Sequence, residues 1–466
     1  MKKPNIVFIL TDDQRFNTIG ALGNPEIKTP VLDSLVSRGM SFTQAHIPGG
    51  SVGAVCMPSR AMIHTGRTLF HLEDAGASVP GGHALLGETL RGAGYYTWGS
   101  GKWHNGREAY ARSFSGGDEI FFGGMADHWN VPAYRFDPSG KYSSRIPYIA
   151  DFFYSREVEY READHINAGK HSTDSITDSG VSFLNEYSGE EPWFTYFSFL
   201  APHDPRTMPE KFRDMYDPES ISLPENFAGG HPFDTGALKI RDEVLASFPR
   251  TEKEIKQHLA EYYAMISHLD HSIGRIIDAV KERGELDNTL FIVTGDNGLA
   301  LGSHGLMGKQ SLYDHSVRIP LIMAGPGVPE GAASDVYLYL LDIFPTLCDY
   351  LEIPVPGTVE GESFLPVMKG EKETAREYLF GAYAEFMRSV KRGSCKLIEY
   401  AVGDERQTQL FDLESDPAEL VNLSADPSYR DELNGLRELL IREARNWDDR
   451  QSEWGRKFWD KVTFTE

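Results

Sequence analysis

Cysteine is scarce in this chain of 466 residues, and that scarcity excludes one way of stabilising a fold. Only Cys56, Cys348 and Cys395 are present, and no Cys-x-x-Cys motif occurs. Three cysteines cannot form a disulfide framework. The chain must therefore be held together by a packed core.

Long apolar runs are also missing. No stretch approaches the roughly 18 apolar residues of a membrane span, so no membrane partner is expected. The N terminus, Met-Lys-Lys-Pro and then residues 5–10, resembles the start of an export signal, but its apolar part is short and Asp12 and Asp13 follow at once. We interpret residues 5–10 as the first strand. The protein is then expected to be cytoplasmic as given, or periplasmic or secreted if a signal has been removed.

Basic residues are in deficit. The chain has 46 Lys and Arg against 69 Asp and Glu, a formal net charge of −23. Binding to nucleic acid or to an anionic membrane needs basic surface, so no nucleic-acid partner is expected. A few local cations could still bind a small anionic substrate. The hydrophobic content of 40% is typical of a globular protein rather than a disordered one.

Apolar runs alternate with helix-like segments along most of the chain. Strands are predicted at 5–10, 95–98, 193–200, 289–294 and 319–323, and helices at 31–39, 84–91, 173–187 and 251–283. This alternation predicts an α/β fold with a large, mostly parallel central sheet sandwiched by helices. Periodicity weakens at 107–171 and 204–250, which we interpret as insertions that wall a pocket.

The pattern changes after about residue 370. Short strand-like segments at 377–385, 395–400 and 409–413 precede a helix predicted at 428–447. We therefore expect a smaller C-terminal antiparallel sheet plus a helix. The predicted division is a main domain at 1–370 and a C-terminal subdomain at 371–466.

Two pairs of oxygen-bearing side chains follow predicted strands. Asp12 and Asp13 follow the first strand, and Asp296 and Asn297 follow the strand at 289–294. Open α/β sheets place their sites at the carboxyl ends of strands. Turn chemistry explains one such pair by itself. Two pairs of hard oxygen ligands indicate Ca²⁺ or Mg²⁺ rather than a two-zinc site.

Cys56 opens the stretch Cys-Met-Pro-Ser-Arg at the entry of a helix that we predict to start near Pro58. Free N–H groups there favour an anion, although a lone cysteine is often only a small buried hydrophobe. Positive donors in Gly- or Pro-marked loops after strands would complete a site for a tetrahedral anion. These donors are Lys102, His104, His203 and Lys309.

Taken together, these stretches resemble the sulfatase family, the formylglycine-dependent type I enzymes of the alkaline-phosphatase superfamily. The matching segments are 4–14, 56–66, 99–104, 201–203, 294–298, 302–309 and 409–417. They cover nearly the whole chain. Segments 199–205 and 296–304 further resemble bacterial polysaccharide sulfatases. The main domain would then be the catalytic domain.

The resemblance implies how the site works. Cys56 would be oxidised to formylglycine by a separate formylglycine-generating enzyme, and the hydrated aldehyde would be the nucleophile. One Ca²⁺ per chain would be bound by Asp12, Asp13, Asp296, Asn297 and the modified Cys56. The other implied residues are Arg60 and His104 at the nucleophile, Lys102, His203 and Lys309 at the sulfate, and His304 as a further substrate-binding candidate. His203 is the first choice as general acid and Lys309 the second.

The expected substrate is a sulfated sugar from a glycosaminoglycan or an algal glycan. A phosphonate monoester or phosphodiester hydrolase on the same fold is the alternative, but such enzymes tend to carry His at the position of Asn297, which favours sulfate monoesters. A non-catalytic carbohydrate-binding relative is a third interpretation. The intact Cys56, Arg60, Lys102 and His203 argue against it.

Overall fold

The computed structural model of the protein describes residues 3–462 and 464. The first two residues of the leader-like N terminus lie outside these residues, as do positions 463, 465 and 466 of the predicted C-terminal subdomain. Among the residues described, no helix combines the length and apolar character needed to cross a membrane.

The secondary structure alternates strands and helices, as predicted. The strands are β1 (Asn5–Thr11), β2 (Met40–Phe42), β3 (Ala45–His46), β4 (Gly49–Gly50), β5 (Tyr96–Lys102), β6 (Gly116–Phe121), β7 (Pro132–Ala133), β8 (Arg145–Tyr148), β9 (Glu159–Glu162), β10 (His165–Ile166), β11 (Trp193–Ser198), β12 (Thr289–Gly295), β13 (Arg318–Ile319), β14 (Leu321–Ala324), β15 (Ala332–Ser334), β16 (Leu338–Tyr339), β17 (Tyr378–Tyr383), β18 (Met387–Arg392), β19 (Cys395–Val402) and β20 (Glu405–Asp412). The α-helices are α1 (Pro30–Arg38), α2 (Cys56–Thr65), α3 (Leu86–Gly92), α4 (Arg107–Ser113), α5 (Ser172–Glu186), α6 (Glu210–Arg213), α7 (Glu252–Glu282), α8 (Asp314–Val317), α9 (Ile343–Tyr350), α10 (Leu365–Met368), α11 (Arg430–Asn446) and α12 (Glu453–Trp459).

Eight strands form the main sheet, in the order β15-β2-β14-β12-β1-β11-β5-β6. The neighbours from β12 to β6 are all parallel, whereas β14 is antiparallel to both β12 and β2. The prediction of a mostly parallel central sheet is confirmed. Because parallel strands end at the same edge, the loops after β1, β5, β11 and β12 meet there.

Helices cover both faces of this sheet. Alternate residues of β1 enter two different cores, since successive side chains of a strand point to opposite faces. Ile6 and Phe8 pack in the core that includes α2, α3 and α9, whereas Val7 and Ile9 pack with α1, α5 and α7. The long helix α7 begins at a capped end, where the Thr251 side chain accepts a hydrogen bond from the Glu254 N–H.

A second sheet has the order β20-β19-β18-β17-β4. Its four long strands are antiparallel and are covered by α11, which confirms the predicted C-terminal sheet and helix. The sequence did not predict β18. The short strand β4 pairs in parallel with β17, so Gly49 and Gly50 lie on this sheet. The division at residue 370 stays a prediction.

Three local predictions need correction. Strand β5 continues through Gly101 to Lys102, so Lys102 ends a strand rather than lying in a loop. Helix α2 already begins at Cys56, two residues before Pro58. The segment 107–171 contributes β6 to the main sheet and is more than a set of loops.

Three tyrosines of segment 107–171 belong to the main hydrophobic core. Tyr110, Tyr134 and Tyr142 are each no more than 2% exposed and pack against one another and Phe122. They are therefore not free to stack on a sugar ring. These tyrosines anchor the predicted insertion in the main core, whereas Phe152, Phe153 and Tyr154 of the same segment are exposed.

Candidate active site

The strand register brings the two oxygen-bearing pairs together. Thr11 at the end of β1 lies opposite Gly295 at the end of β12, so Asp12 and Asp296 leave adjacent strands at the same level. The Asp296 N–H donates to the Thr11 carbonyl at 3.0 Å, and the Asp13 N–H donates to Asp296 Oδ1 at 3.0 Å. Asp13 itself has φ of 65°, a conformation that costs energy for a non-glycine residue and is often found at functional sites.

Cys56 lies at the first turn of α2, beside the end of β5. Its Sγ is 3.4 Å from Lys102 Nζ and 3.6 Å from His104 Nδ1, and its side chain is buried. Burial raises the pKa of the Cys56 thiol, although Lys102 and Lys309 oppose the rise.

Arg60 follows Cys56 by one helical turn and is fully buried. Its Nε donates to Asp296 Oδ2 at 2.8 Å, and its Nη1 donates to the Lys102 carbonyl at 3.0 Å. Burial disfavours the charge, but Asp296 and Asp12 outweigh that effect and raise the pKa of Arg60. The guanidinium thus fixes α2 against the ends of β5 and β12.

The four oxygen-bearing side chains form a suitable metal centre. Asn297 Nδ2 donates to Asp13 Oδ1 at 2.7 Å, which turns the amide oxygen of Asn297 away from that contact. Asp12 Oδ1 and Asn297 Oδ1 are buried and have no hydrogen-bond partner. Buried polar atoms are rarely left unpaired, and oxygen atoms of this kind are the ligands that a hard cation takes. The donor set therefore fits a metal ion such as Ca²⁺.

Positive groups surround the carboxylates. Lys102 Nζ lies 2.5 Å from Asp12 Oδ2, and Lys309 Nζ lies 2.6 Å from Asp13 Oδ1. Burial disfavours both ammonium charges, but these carboxylates outweigh it and raise the pKa of each lysine. Burial likewise raises the pKa of Asp12, yet Lys102 and Arg60 hold it well below its usual range. The three cations and three carboxylates balance one another.

The two histidines contact different residues of this cluster. His104 contacts Cys56, and burial followed by the nearby Lys102 lowers its pKa to about 3. His203 Nε2 lies 3.7 Å from Asp13 Oδ2, while its Nδ1 is 2.8 Å from the Asp204 carbonyl. A carbonyl can only accept, so Nδ1 carries a proton and Nε2 is left to face the site.

His304 does not share these contacts. Its Nε2 is 2.9 Å from the Glu419 carbonyl and its Nδ1 is 3.4 Å from Asn226 Nδ2. The ring stacks on Tyr313 with centroids 3.9 Å apart. The contacts of His304 are those of a packed side chain, and its predicted role in substrate binding stays a prediction.

Two supporting residues were missed in the sequence. The Ser198 hydroxyl donates to the Lys102 carbonyl at 2.6 Å and accepts from Arg60. The Tyr262 hydroxyl donates to the Asp13 carbonyl and accepts from the Arg15 N–H at 2.8 Å. Ser198 lies near the end of the strand predicted at 193–200 and could have been suspected for that reason. Tyr262 is one of many residues on α7, and only its contacts single it out.

Comparison with known proteins identifies the family to which the chain belongs. The sulfatase family matches residues 4–353, and a C-terminal region described as that of N-sulphoglucosamine sulphohydrolase matches residues 302–446. An arylsulfatase of Clostridium perfringens is 31% identical over 475 residues, covering 96% of this chain and 95% of that protein. An N-acetylglucosamine-6-O-sulfatase of Bacteroides thetaiotaomicron is 25% identical, covering 96% and 87%.

Solved structures share the fold. One, in complex with its substrate D-glucosamine-2-N,6-O-disulfate, has a TM-score of 0.77 at 22% identity and covers 97% of this chain and 99% of its own. The phosphonate monoester hydrolase of Agrobacterium radiobacter has a TM-score of 0.75 at 23% identity and covers 96% of each chain. At these identities the likeness shows the fold alone.

The sheet defines an alkaline-phosphatase-like fold with a cluster of carboxylates and cations at its carboxyl edge. The match over residues 4–353 and the 31% identity then settle the family: the chain belongs to the sulfatases and is a sulfuric-ester hydrolase.

Proposed function

We propose that this enzyme hydrolyses a sulfate monoester on a sugar of a glycosaminoglycan or algal glycan, with a formylglycine made from Cys56 as the nucleophile and one bound Ca²⁺. The observation that carries the proposal is the position of Cys56, whose Sγ lies within 3.6 Å of both Lys102 Nζ and His104 Nδ1 beside three buried carboxylates. The relatives named for N-acetylglucosamine-6-O-sulfate and for ulvan support a carbohydrate substrate.

Asp12, Asp13, Asp296 and Asn297, with the modified Cys56, would hold the metal. The bound cation supplies positive charge that favours the ionised nucleophile and a sulfate group. A hydrated formylglycine supplies a hydroxyl for attack and a second one whose deprotonation releases sulfate. The maturation enzyme is then an obligatory partner.

The chain's own residues divide the remaining tasks. The three cations Lys102, Arg60 and Lys309 already balance the three carboxylates, so an added divalent cation leaves the pocket positive and suited to a sulfate ester. Lys102, Lys309 and His203 bind the sulfate oxygens. Neutral His104, beside Cys56, accepts a proton from the nucleophile. His203 would protonate the leaving oxygen through Nε2 from its imidazolium form, in which Nδ1 keeps its proton on the Asp204 carbonyl.

The first test is the maturation and activity of Cys56. The enzyme is coexpressed with a formylglycine-generating enzyme, and the peptide that contains Cys56 is examined by mass spectrometry for conversion of the thiol to an aldehyde. Turnover is measured on defined sulfated mono- and disaccharides, and on an aryl phosphonate and a phosphodiester. We expect conversion and a preference for sugar sulfates.

Cys56→Ala should abolish turnover, and Cys395→Ala, which changes a cysteine of the second sheet, should leave it intact. Near-normal activity of Cys56→Ala would contradict the nucleophile assignment. A higher rate on the phosphonate or the phosphodiester than on every sulfate would favour the alternative hydrolase.

The metal is tested by elemental analysis of the purified enzyme. We expect one calcium per chain, and Asn297→Ala should lower the calcium content, because it removes an unpaired buried oxygen. Two zinc ions per chain would contradict the proposal.

A further inference from the structure

Glu243 is a buried carboxylate to which the mechanism above gives no part. It lies in segment 204–250 and is 3% exposed. Its Oε1 accepts hydrogen bonds from the N–H groups of Met307 and Gly308 at 3.1 and 2.8 Å, and its Oε2 accepts from Met307 at 3.0 Å. Oε2 also pairs with Arg250 Nη2 at 2.5 Å. Both carboxylate oxygens thus accept hydrogen bonds, from the loop that precedes Lys309 and from Arg250.

A second contact holds the loop to the same segment, at the residue next to Glu243. Gln310 Oε1 accepts from the Lys309 N–H at 2.9 Å, and Gln310 Nε2 donates to Asp242 Oδ2 at 2.7 Å. A Cβ added to Gly308 would lie 2.3 Å from Gln310 Oε1 and 3.1 Å from Glu243 Oε1. The main chain at Lys309 therefore has little room to move while these contacts hold.

Arg250 fixes the carboxylate in turn. Its side chain is fully buried. Its Nη1 donates to the carbonyls of Glu243 and Ala246 at 2.8 and 2.6 Å, and its Nε donates to the Gly305 carbonyl at 3.2 Å. Glu243 and Arg250 thus join segment 204–250 to the loop 302–309 through charged, buried contacts. Such contacts are stronger and more directional than neutral ones.

We propose that Glu243 is a positioning residue for Lys309, through which segment 204–250 sets the place of the Lys309 ammonium beside Asp13. The proposal rests on the proposed function, which gives Lys309 contact with the sulfate. Replacing one carboxylate oxygen by an amide NH₂ would bring it against an N–H of Met307 or Gly308, or against the Arg250 guanidinium. The loop would have to shift, and Lys309 with it.

The test is a double-mutant cycle on the matured full-length enzyme with a sugar sulfate. We expect Glu243→Gln to lower kcat roughly 10- to 100-fold, the usual range for a residue that orients a functional group. In a Lys309→Ala background the same change should cost less than about threefold, because residues that act through one another are not additive. The control is Glu399→Gln, another buried glutamate, bonded to Arg437 and Thr408 on the second sheet, which should leave kcat unchanged.

The outcomes separate the two proposals. An equal loss of kcat in both backgrounds, or a normal kcat for Glu243→Gln, would overturn the positioning role while leaving the proposed function intact. A normal kcat for Lys309→Ala would instead remove Lys309 from the site, and both assignments would fall. If Glu243→Gln does not fold, as judged by circular dichroism, Glu243→Asp and Arg250→Lys carry the same cycle, and an additive result with them counts against the proposal.

Discussion

At the scale of single residues, the active site depends on neighbours that fix charge and orientation. Lys102 Nζ contacts both Asp12 and Cys56, and Arg60 contacts Asp296 and the carbonyl of Lys102. His104 and His203 reach the cluster from different loops. In-line displacement at sulfur needs a nucleophile on one side and a proton donor on the other, and one loop could not supply both.

The division of roles between the histidines can be measured with leaving groups of different pKa. His203→Ala should lower kcat about 10²- to 10⁴-fold on a sugar sulfate, the usual effect of losing a general acid. The loss should be smaller on an aryl sulfate, whose phenolate departs without protonation. His104→Ala should impair both substrates alike, because its partner Cys56 is needed for both. Rates on a series of sulfates check this, and a loss for His203→Ala that is independent of the leaving group would pass the acid role to Lys309 or to solvent.

At the scale of secondary-structure elements, the ends of four parallel strands and one helix start form the site. The strand predicted at 319–323 is divided at Pro320 between β13 and β14, which lie in different sheets. The other predicted strands agree with observed ones in their cores and differ at the ends where function lies. The continuation of β5 to Lys102 is an example. Gly101 has φ of 92°, and a Cβ there would lie 1.9 Å from the Ser198 carbonyl oxygen, so the strand can run on only because position 101 is glycine. A Gly-rich sequence is typical of a loop, but pairing with the neighbouring strand β11 makes this segment part of the sheet.

Gly101→Ala should therefore destabilise the protein and reduce its activity. A positive φ by itself costs an alanine about 1–2 kcal/mol, and the overlap with the β11 backbone should add roughly 1–3 kcal/mol. Gly94→Ala is the matched control, since Gly94 has φ of 90° and nothing within 4 Å of its added Cβ. Urea unfolding and kcat are measured for both. Equal losses of stability would show that the close approach of β5 and β11 adds nothing to the cost of an alanine at position 101.

At the scale of the whole molecule, a buried ion network ties the second sheet to the start of helix α8. Lys396 Nζ on β19 donates to Asp314 Oδ1 at 2.8 Å and to Glu419 Oε1 at 2.7 Å, and Lys391 Nζ donates to Asp314 Oδ2 at 3.0 Å. All four side chains are buried. The strand pairing of β4 with β17 adds a second connection.

Lys396→Met should cost roughly 3–5 kcal/mol of stability, because it leaves Asp314 and Glu419 as buried carboxylates short of a cation. Arg392→Met on β18 is the control. It removes a pair with Glu432 in which the side chains are 43% and 35% exposed, and such pairs contribute at most about 1 kcal/mol. Denaturant unfolding of the two variants measures the difference. A similar small loss in both would mean that the network is dispensable.

Stability should also fall in mild acid, because several histidines are buried in the neutral form. His64 is 3% exposed and packs on Trp103 and Tyr196, and burial followed by the charge of Arg60 lowers its pKa from 6.5 to about 3. Burial followed by Lys391 lowers the pKa of His46 to about 4. Below pH 6.5 these histidines bind protons in the unfolded chain but not in the folded chain. Their contribution to the free energy of unfolding is therefore complete above pH 6.5 and declines as the pH falls towards 3.

Unfolding by denaturant from neutral pH down to about 4 checks this dependence. His64→Gln should show a shallower decline than the parent enzyme, whereas His271→Gln, at an exposed position where the pKa is lowered less, should stay closer to the parent's slope. An unchanged slope for His64→Gln would remove this histidine from the acid response.

The sequence by itself determined the class of fold and most of the chemistry. Alternating apolar and amphipathic segments require a covered parallel sheet, and residues directly after strands such as Asp12, Asp13, Asp296 and His203 must then share one edge. Those inferences depend only on local pattern and on the direction of strands. Contacts between distant segments have no local pattern, so only the tertiary structure decided them. Tyr110, Tyr134 and Tyr142 joined the main core, and Ser198, Tyr262 and Glu243 gained their places from strand register and loop packing across more than 60 residues of sequence.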